Sequence, residues 1–132
     1  MTSNPVSVMV VDDQPAFRDA ARAVLARIGS EFALIGEAGS GEEAVDLVGS
    51  MEPSLVVMDI NMGGISGIEA ASRIKAGHPE VMIILVSTYR EDDLPTDVRT
   101  SGASAYVHKE DLSARVLRRL WAEGGDPGFA PA

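Results

Sequence analysis

Apolar residues fall into two alternating patterns along this chain. Short, nearly unbroken runs at residues 6–11, 32–35, 55–58, 81–86 and 103–107 are separated by longer stretches in which apolar positions recur every three or four residues. The runs have strand length and are rich in β-branched side chains, whereas the stretches between them have the period of an amphipathic helix. Five strand–helix pairs in alternation predict an α/β domain with a parallel sheet. Parallel neighbours need a crossover connection, and a helix supplies it.

The first helix is expected to begin at Pro15, a favoured first-turn proline. It turns Phe17, Ala21, Val24, Leu25 and Ile28 inward and Arg18, Arg22 and Arg27 outward, and ends at Gly29. Ser40 with Glu43, and Ser66 with Glu69, have the spacing of capping boxes. They precede helices with Ala44, Val45 and Val48, and with Ile68, Ala71 and Ile74, facing inward; the latter stops at Gly77-His78-Pro79. The run 81–86 is apolar throughout, as a central strand covered on both faces should be. A last helix groups Leu112, Val116 and Leu120 with Leu117 and Trp121.

Two regions resist this scheme. In the fourth connection, "REDDLPTDVRTSG", Pro95 can stand only near a helix start and Thr96, Thr100 and Ser101 are poor helix formers. Any helix there is short and marginal, and local opening should be easiest at that point. Residues 124–132 are rich in Gly and Pro and have too little apolar content to fold, so the expected organisation is one domain over 1–123 and a flexible tail over 124–132.

Composition narrows the function. A chain of 132 residues has room for one core, and 11 Lys plus Arg against 20 Asp plus Glu give a net charge of -9. Such a surface repels nucleic acid and anionic membrane and favours protein partners and metal cations. With no Cys and two isolated His, thiolate and His-based zinc sites are excluded. The opening MTSNP has neither the basic flank nor the apolar stretch of a signal peptide, and no later run approaches membrane-spanning length, which leads us to expect a cytoplasmic protein.

The candidate chemistry sits at the ends of the runs. In a parallel sheet all strand C-termini share one edge, and ligands bind there. That edge should gather Asp12 and Asp13, Asp59, Ser87 and Lys109. Adjacent acids alone are more often turn formers or caps, and Lys109 alone a solvated cation; their matching positions reverse that preference. Carboxylates repel by about 4 kcal/mol per pair at roughly 4 Å and an effective dielectric near 20, so a shared pocket needs a cation or raised pKa values. Oxygen ligands without His or Cys suit a hard ion, and a few carboxylates with retained waters suit Mg2+. Asp59 could also act as a nucleophile and accept a phosphoryl group, with Ser87 donating to one phosphoryl oxygen and Lys109 neutralising another. His78 and His108 show no partner pattern, Met58 and Met62 read as packing residues, and Arg115, Arg118 and Arg119 as a solvated basic face.

From about residue 7 to 121, the motifs "VVDDQPAFR", "VVMDINMGGISGIEA", "IILVSTY" and "GASAYVHKEDL" stand in the order and spacing of a known family, and the chain resembles the receiver domains of bacterial two-component response regulators. That resemblance implies a five-stranded parallel sheet of order 2-1-3-4-5 flanked by five helices, the flavodoxin-like receiver fold. It implies Asp59 as phosphoacceptor, Asp13 as a direct Mg2+ ligand, Asp12 acting largely through water, and Asn61 contributing its backbone carbonyl. Ser87 and Lys109 become the transducers, Tyr106 the aromatic whose rotamer reports phosphorylation, and Asn61 and Tyr89 influences on aspartyl-phosphate lifetime. Three positions depart from the family pattern: Gly63 where proline is usual, Glu110 after Lys109 where many members have proline, and Pro95 in a polar fourth helix.

The leading expectation is therefore a phosphorylation-activated switch. It takes a phosphoryl group from a sensor histidine kinase or phosphotransfer protein, signals to an unknown downstream protein, and turns over no external substrate. Whether phosphorylation drives homodimerisation is left open. An alternative keeps the fold but makes the chain the receiver of a DNA-binding transcriptional regulator. A Mg2+-dependent aspartyl-phosphate phosphatase fits less well, because such enzymes carry Asp-x-Asp after the first strand and this chain has adjacent acids. A flavodoxin-like cofactor carrier would need a phosphate-friendly loop where "DDQP" stands.

Overall fold

A computed structural model describes residues 4–129. Five strands, β1 (Val6–Val11), β2 (Phe32–Ala38), β3 (Leu55–Asp59), β4 (Met82–Ser87) and β5 (Ala105–His108), form one parallel sheet in the order β2-β1-β3-β4-β5. Four helices, α1 (Pro15–Ile28), α2 (Gly41–Met51), α3 (Gly67–Gly77) and α4 (Ala114–Glu123), make the crossovers and the final cover.

Strand alternation builds two cores. Val8 and Val10 of β1, Leu55 and Val57 of β3, and Ile84 and Val86 of β4 face α1 and α4, where they meet Ala21, Leu25, Ile28, Leu117 and Leu120. Their neighbours Met9, Val11, Val56, Met58, Ile83 and Leu85 face α2 and α3 and pack on Ala44, Val48, Ile68, Ala71 and Ile74. Both sets are almost wholly excluded from water. Burying a side chain of this size contributes about 1.5–3 kcal/mol, so the central strands are the most strongly determined part of the fold.

The expected caps form. Ser40 and Ser66 accept from the backbone N–H of Glu43 and Glu69, each at 3.1 Å. Glu43 also accepts from Gly39 N at 2.7 Å, but Glu69 turns instead to Arg73, so the second box is half made. Ser113 caps the last helix by accepting from Val116 N, which places Leu112 ahead of the helix, not inside it.

Two expectations are corrected. Five helices were expected and four are present among the described residues: the fourth connection holds only 3-10 turns, Glu91–Asp93 and Thr96–Thr100, because Pro95 interrupts the segment and its Thr and Ser residues do not propagate a helix. The described part of the tail, 124–129, is also folded, against the expectation of a flexible tail over 124–132. Phe129 is 3% exposed in the core beside Val98 and Ala103, since one aromatic ring reaching an uncovered sheet face is sufficient to order a short segment. Residues 130–132 lie outside the described residues.

Candidate functional site

The order of a doubly wound sheet reverses between β1 and β3, and helices leave to opposite faces there, opening a crevice at the strand C-termini. Asp12 and Asp13 follow β1, and Asp59 ends β3. One carboxylate oxygen from each lies within 4.8 Å of the others. Asp12 is fully buried and Asp59 is 4% exposed, whereas Asp13 is open to solvent.

Lys109, in the 3-10 turn Lys109–Asp111 beyond β5, reaches across the crevice. Its Nζ lies 2.7 Å from Asp12 Oδ2 and 3.6 Å from Asp59 Oδ2, with Gln14 Oε1 at 3.5 Å and the centroid of the Phe17 ring at 4.6 Å. The ammonium is thus held by two carboxylates and an aromatic face. Asp12 Oδ1 accepts from Gln14 N at 2.8 Å, but buried Oδ2 makes no hydrogen bond and has only the Lys109 charge to compensate it.

One cation cannot satisfy three acids. Burial, with Asp12 close by, pushes the Asp59 carboxyl up to about 6, against the opposing pull of Lys109 and a hydrogen bond from the Asn61 backbone N–H. The pocket has a deficit of positive charge, a buried oxygen whose one described partner is the Lys109 ammonium, and an all-oxygen donor set. These features fit a hard divalent cation held by Asp12, Asp13 and Asp59. Asn61 is close enough for its N–H to bond Asp59, which puts its backbone at the same rim.

Ser87 ends β4, one residue beyond Val86, the register partner of Asp59. Its Oγ is 2.8 Å from Tyr106 Oη and accepts from Tyr89 N at 3.1 Å. Tyr106 Oη also donates toward the carbonyls of Ser87, at 3.1 Å, and Tyr89, at 2.5 Å. Ser87, one of the two expected transducers, is therefore joined to Tyr106, the aromatic expected to report phosphorylation, whereas Lys109 is held by the acids.

Several contributors escaped the sequence reading. Gly67 opens α3 directly against β3, and a Cβ there would fall 2.0 Å from the Asp59 carbonyl oxygen. Arg18, read only as outward, donates to the Asp12 carbonyl at 2.5 Å and pairs with Glu37 at 3.4 Å. Phe17 was read as a core position; periodicity could not reveal that its ring also borders Lys109. His108, for which no partner was evident, accepts from Glu110 N through Nδ1 at 3.1 Å, which leaves Nε2 to donate to Thr88 O at 3.1 Å. A proline at 110 could not make the first bond, so this departure from the family pattern has a local use. Gly63 has nothing within 4 Å of where a Cβ would stand, so packing does not demand glycine there.

The strand order and the edge that bears these groups define a flavodoxin-like receiver fold. The chain belongs to the response regulator receiver domain family, whose pattern matches residues 8–120. Phosphorylation-dependent two-component signalling is the role of this family, and aspartyl phosphorylation and Mg2+ are general features of it. Among curated relatives, the transcriptional regulatory protein DegU of Brevibacillus brevis is 32% identical over 95% of this chain and 53% of its own length. The response regulator GacA of Pseudomonas viridiflava is 35% identical over 87% of this chain and 53% of its own length. The chain thus spans about half the length of these relatives. Among solved structures, the receiver domain of the response regulator NarL from Mycobacterium tuberculosis superposes with a TM-score of 0.81 at 26% identity, covering 94% of this chain and all of that one. CheY of Borrelia burgdorferi, solved with CheX, BeF3 and Mg2+, gives 0.80 at 26% identity over 93% of this chain and 92% of that one. No helix among the described residues is long and apolar enough to cross a membrane.

Proposed function

We propose that this chain is a phosphorylation-activated switch that accepts a phosphoryl group on Asp59 from a histidine kinase or phosphotransfer protein and signals through protein contacts. The observation that supports this most directly is the convergence of Asp12, Asp13 and Asp59 within 4.8 Å, with the Lys109 ammonium 3.6 Å from Asp59. An Asp59 oxygen attacks the phosphorus of a phosphohistidine; the P–O bond forms as the P–N bond breaks, and the imidazole leaves and takes up a proton. Asp12, Asp13, Asp59 and the Asn61 carbonyl would hold Mg2+, which when bound supplies Lewis-acid charge opposite the phosphoryl oxygens.

This chain's own residues do the rest. Lys109 neutralises one phosphoryl oxygen, and Ser87 turns its hydroxyl from Tyr106 to donate to another. The phosphoryl group carries roughly two negative charges and replaces the one on the Asp59 carboxylate, so the pocket gains about one, and the new oxygens offer Ser87 a stronger acceptor than Tyr106, which drives that exchange of partners. Water attack on phosphorus returns Asp59 and inorganic phosphate, so each cycle spends one phosphoryl group of the donor and resets the switch.

Because the matched relatives include transcriptional regulators about twice as long, a second reading makes this chain the receiver of a DNA-binding regulator. Incubation with acetyl phosphate and Mg2+ tests the shared chemistry. Intact mass spectrometry should show a gain of one phosphoryl group that disappears in Asp59→Asn; a gain that survives the substitution overturns the assignment.

A further inference from the structure

The connection between β4 and β5 and the segment after α4 hold each other in place. Residues 90–101 contain no α-helix, so the sheet face that a fifth helix would cover needs another source of apolar burial. Val98 and the half-buried Leu94 supply part of it and Phe129 a further part, joining the core that contains Ile83, Leu85 and Ala103.

The chain reaches that face by a sharp reversal. Gly124 and Gly125 adopt φ of +74° and +124°, Gly125 N donates to Leu120 O at 2.8 Å, and Asp126 N donates to Ser104 O at 2.9 Å. A Cβ on Gly125 would stand 2.7 Å from Ser104 O, so this close crossing needs glycine. At the far end, Arg99 of the Thr96–Thr100 turn donates to the carbonyls of Gly128, at 3.2 Å, and Phe129, at 2.9 Å. Its guanidinium lies 5.3 Å from the centroid of the Phe129 ring. An open cleft of about 420 Å³ lies between the two anchor points, and the strap is braced within itself by Asp126, whose carbonyl accepts from Phe129 N and whose Oδ1 accepts from Gly128 N, both at 3.0 Å.

The connection is fastened at its other end to the switch. Tyr106 holds Ser87 and Tyr89, and His108 holds Thr88. A segment of such low helix propensity depends on its contacts for its position: Ser72 of α3 donates to Ser101 O at 3.2 Å, and Arg99, ten positions after Tyr89, ties it to the strap.

We propose that residues 125–129 are an intramolecular latch: Phe129 and Arg99 hold residues 94–101 in the arrangement that accompanies unphosphorylated Asp59, and the movement of Ser87 toward a phosphoryl group loosens the strap. The proposal rests on the phosphoacceptor reading above. Linkage makes the effect reciprocal, so a weakened strap must favour the phosphorylated state by the same factor.

Hydrogen exchange on the full chain, with Mg2+ and with or without beryllofluoride as the acyl-phosphate mimic, tests it. In the parent protein beryllofluoride should slow exchange at residues 57–60 and 86–88 and speed it about tenfold at 94–101 and 125–129. Phe129→Ala should speed exchange at 94–101 to a similar extent without beryllofluoride, leave β1 and β3 unchanged, and lower the beryllofluoride concentration needed for half-saturation. Arg99→Gln should do the same more weakly, and it decides the matter if Phe129→Ala does not fold. Unchanged exchange at 94–101 in the folded variants overturns the latch. So does an unmoved strap in a protein whose residues 57–60 and 86–88 respond. No response at any position overturns the phosphoacceptor reading, and the coupling falls with it.

Discussion

The β1–β3 side of the sheet and the β4–β5 side are built to different standards of order. Around the acids, β1 and β3 are buried on both faces beneath helices with proline or serine at their starts, and a glycine brings α3 against the Asp59 backbone. Around Ser87 and Tyr106, one face is covered by 3-10 turns and a strap anchored at two places. Carboxylates that repel each other must be held by a scaffold that cannot relax, whereas a switch has to be drawn from the part of the molecule that opens at low cost.

The largest test of this contrast strikes the rigid side. Gly67→Ala puts a methyl 2.0 Å from the Asp59 carbonyl oxygen, where backbone on both sides prevents yielding. We expect a loss of about 3 kcal/mol or more in urea denaturation, together with loss of phosphorylation by acetyl phosphate. A variant of parental stability would show that the acid pocket is looser than its burial implies.

Removing charge from the same place should have the opposite sign. An unfolded carboxyl titrates near about 4, and burial beside Asp12 holds that of Asp59 at about 6 in the folded protein. Between about pH 4 and about pH 6 the unfolded carboxyl has lost a proton that the folded one keeps, so stability falls as pH rises through this window and levels off above it, where the native state carries a buried, repelled charge. Without divalent ions, Asp59→Asn should therefore stabilise the protein by about 2 kcal/mol near neutral pH. That advantage should shrink through about pH 6 and vanish below about pH 4, as followed by urea denaturation across pH.

On the softer side effects are smaller. Tyr106→Phe deletes the hydroxyl shared by Ser87 and Tyr89, and about 1 kcal/mol should be lost. Faster hydrogen exchange should be confined to residues 87–90, and Asp59 should still be phosphorylated. A change spreading into β1 or β3 would mean that the two sides are one cooperative unit. Smallest is Glu69→Ala, expected to cost a few tenths of a kcal/mol in thermal denaturation, because its carboxylate meets an exposed Arg73 and leaves the capping box open.

The strands, all four helices to within a few residues, and the meeting of Asp12, Asp13, Asp59, Ser87 and Lys109 at one edge were legible in the residues. Each follows from a local rule: strand-length apolar runs, serine before a helix, and the common direction of parallel strands. That Lys109 also packs on the Phe17 ring was not legible, because the contact joins residues almost a hundred positions apart that no periodicity relates. Gly67 looked like any helix-start glycine until β3 was seen behind it.

The sequence by itself determined the alternating architecture and the chemical inventory of its edge, since patterning and strand direction are properties of short stretches. Only the tertiary structure decided what covers β4 and β5. Local propensity allowed only a short, marginal helix over 90–101, where the structure has 3-10 turns, and, equally locally, it argued that residues 124–129 should stay loose. Burial is a property of the whole surface: a sheet face left bare by one segment is filled by whichever apolar ring can reach it, and here that ring is Phe129.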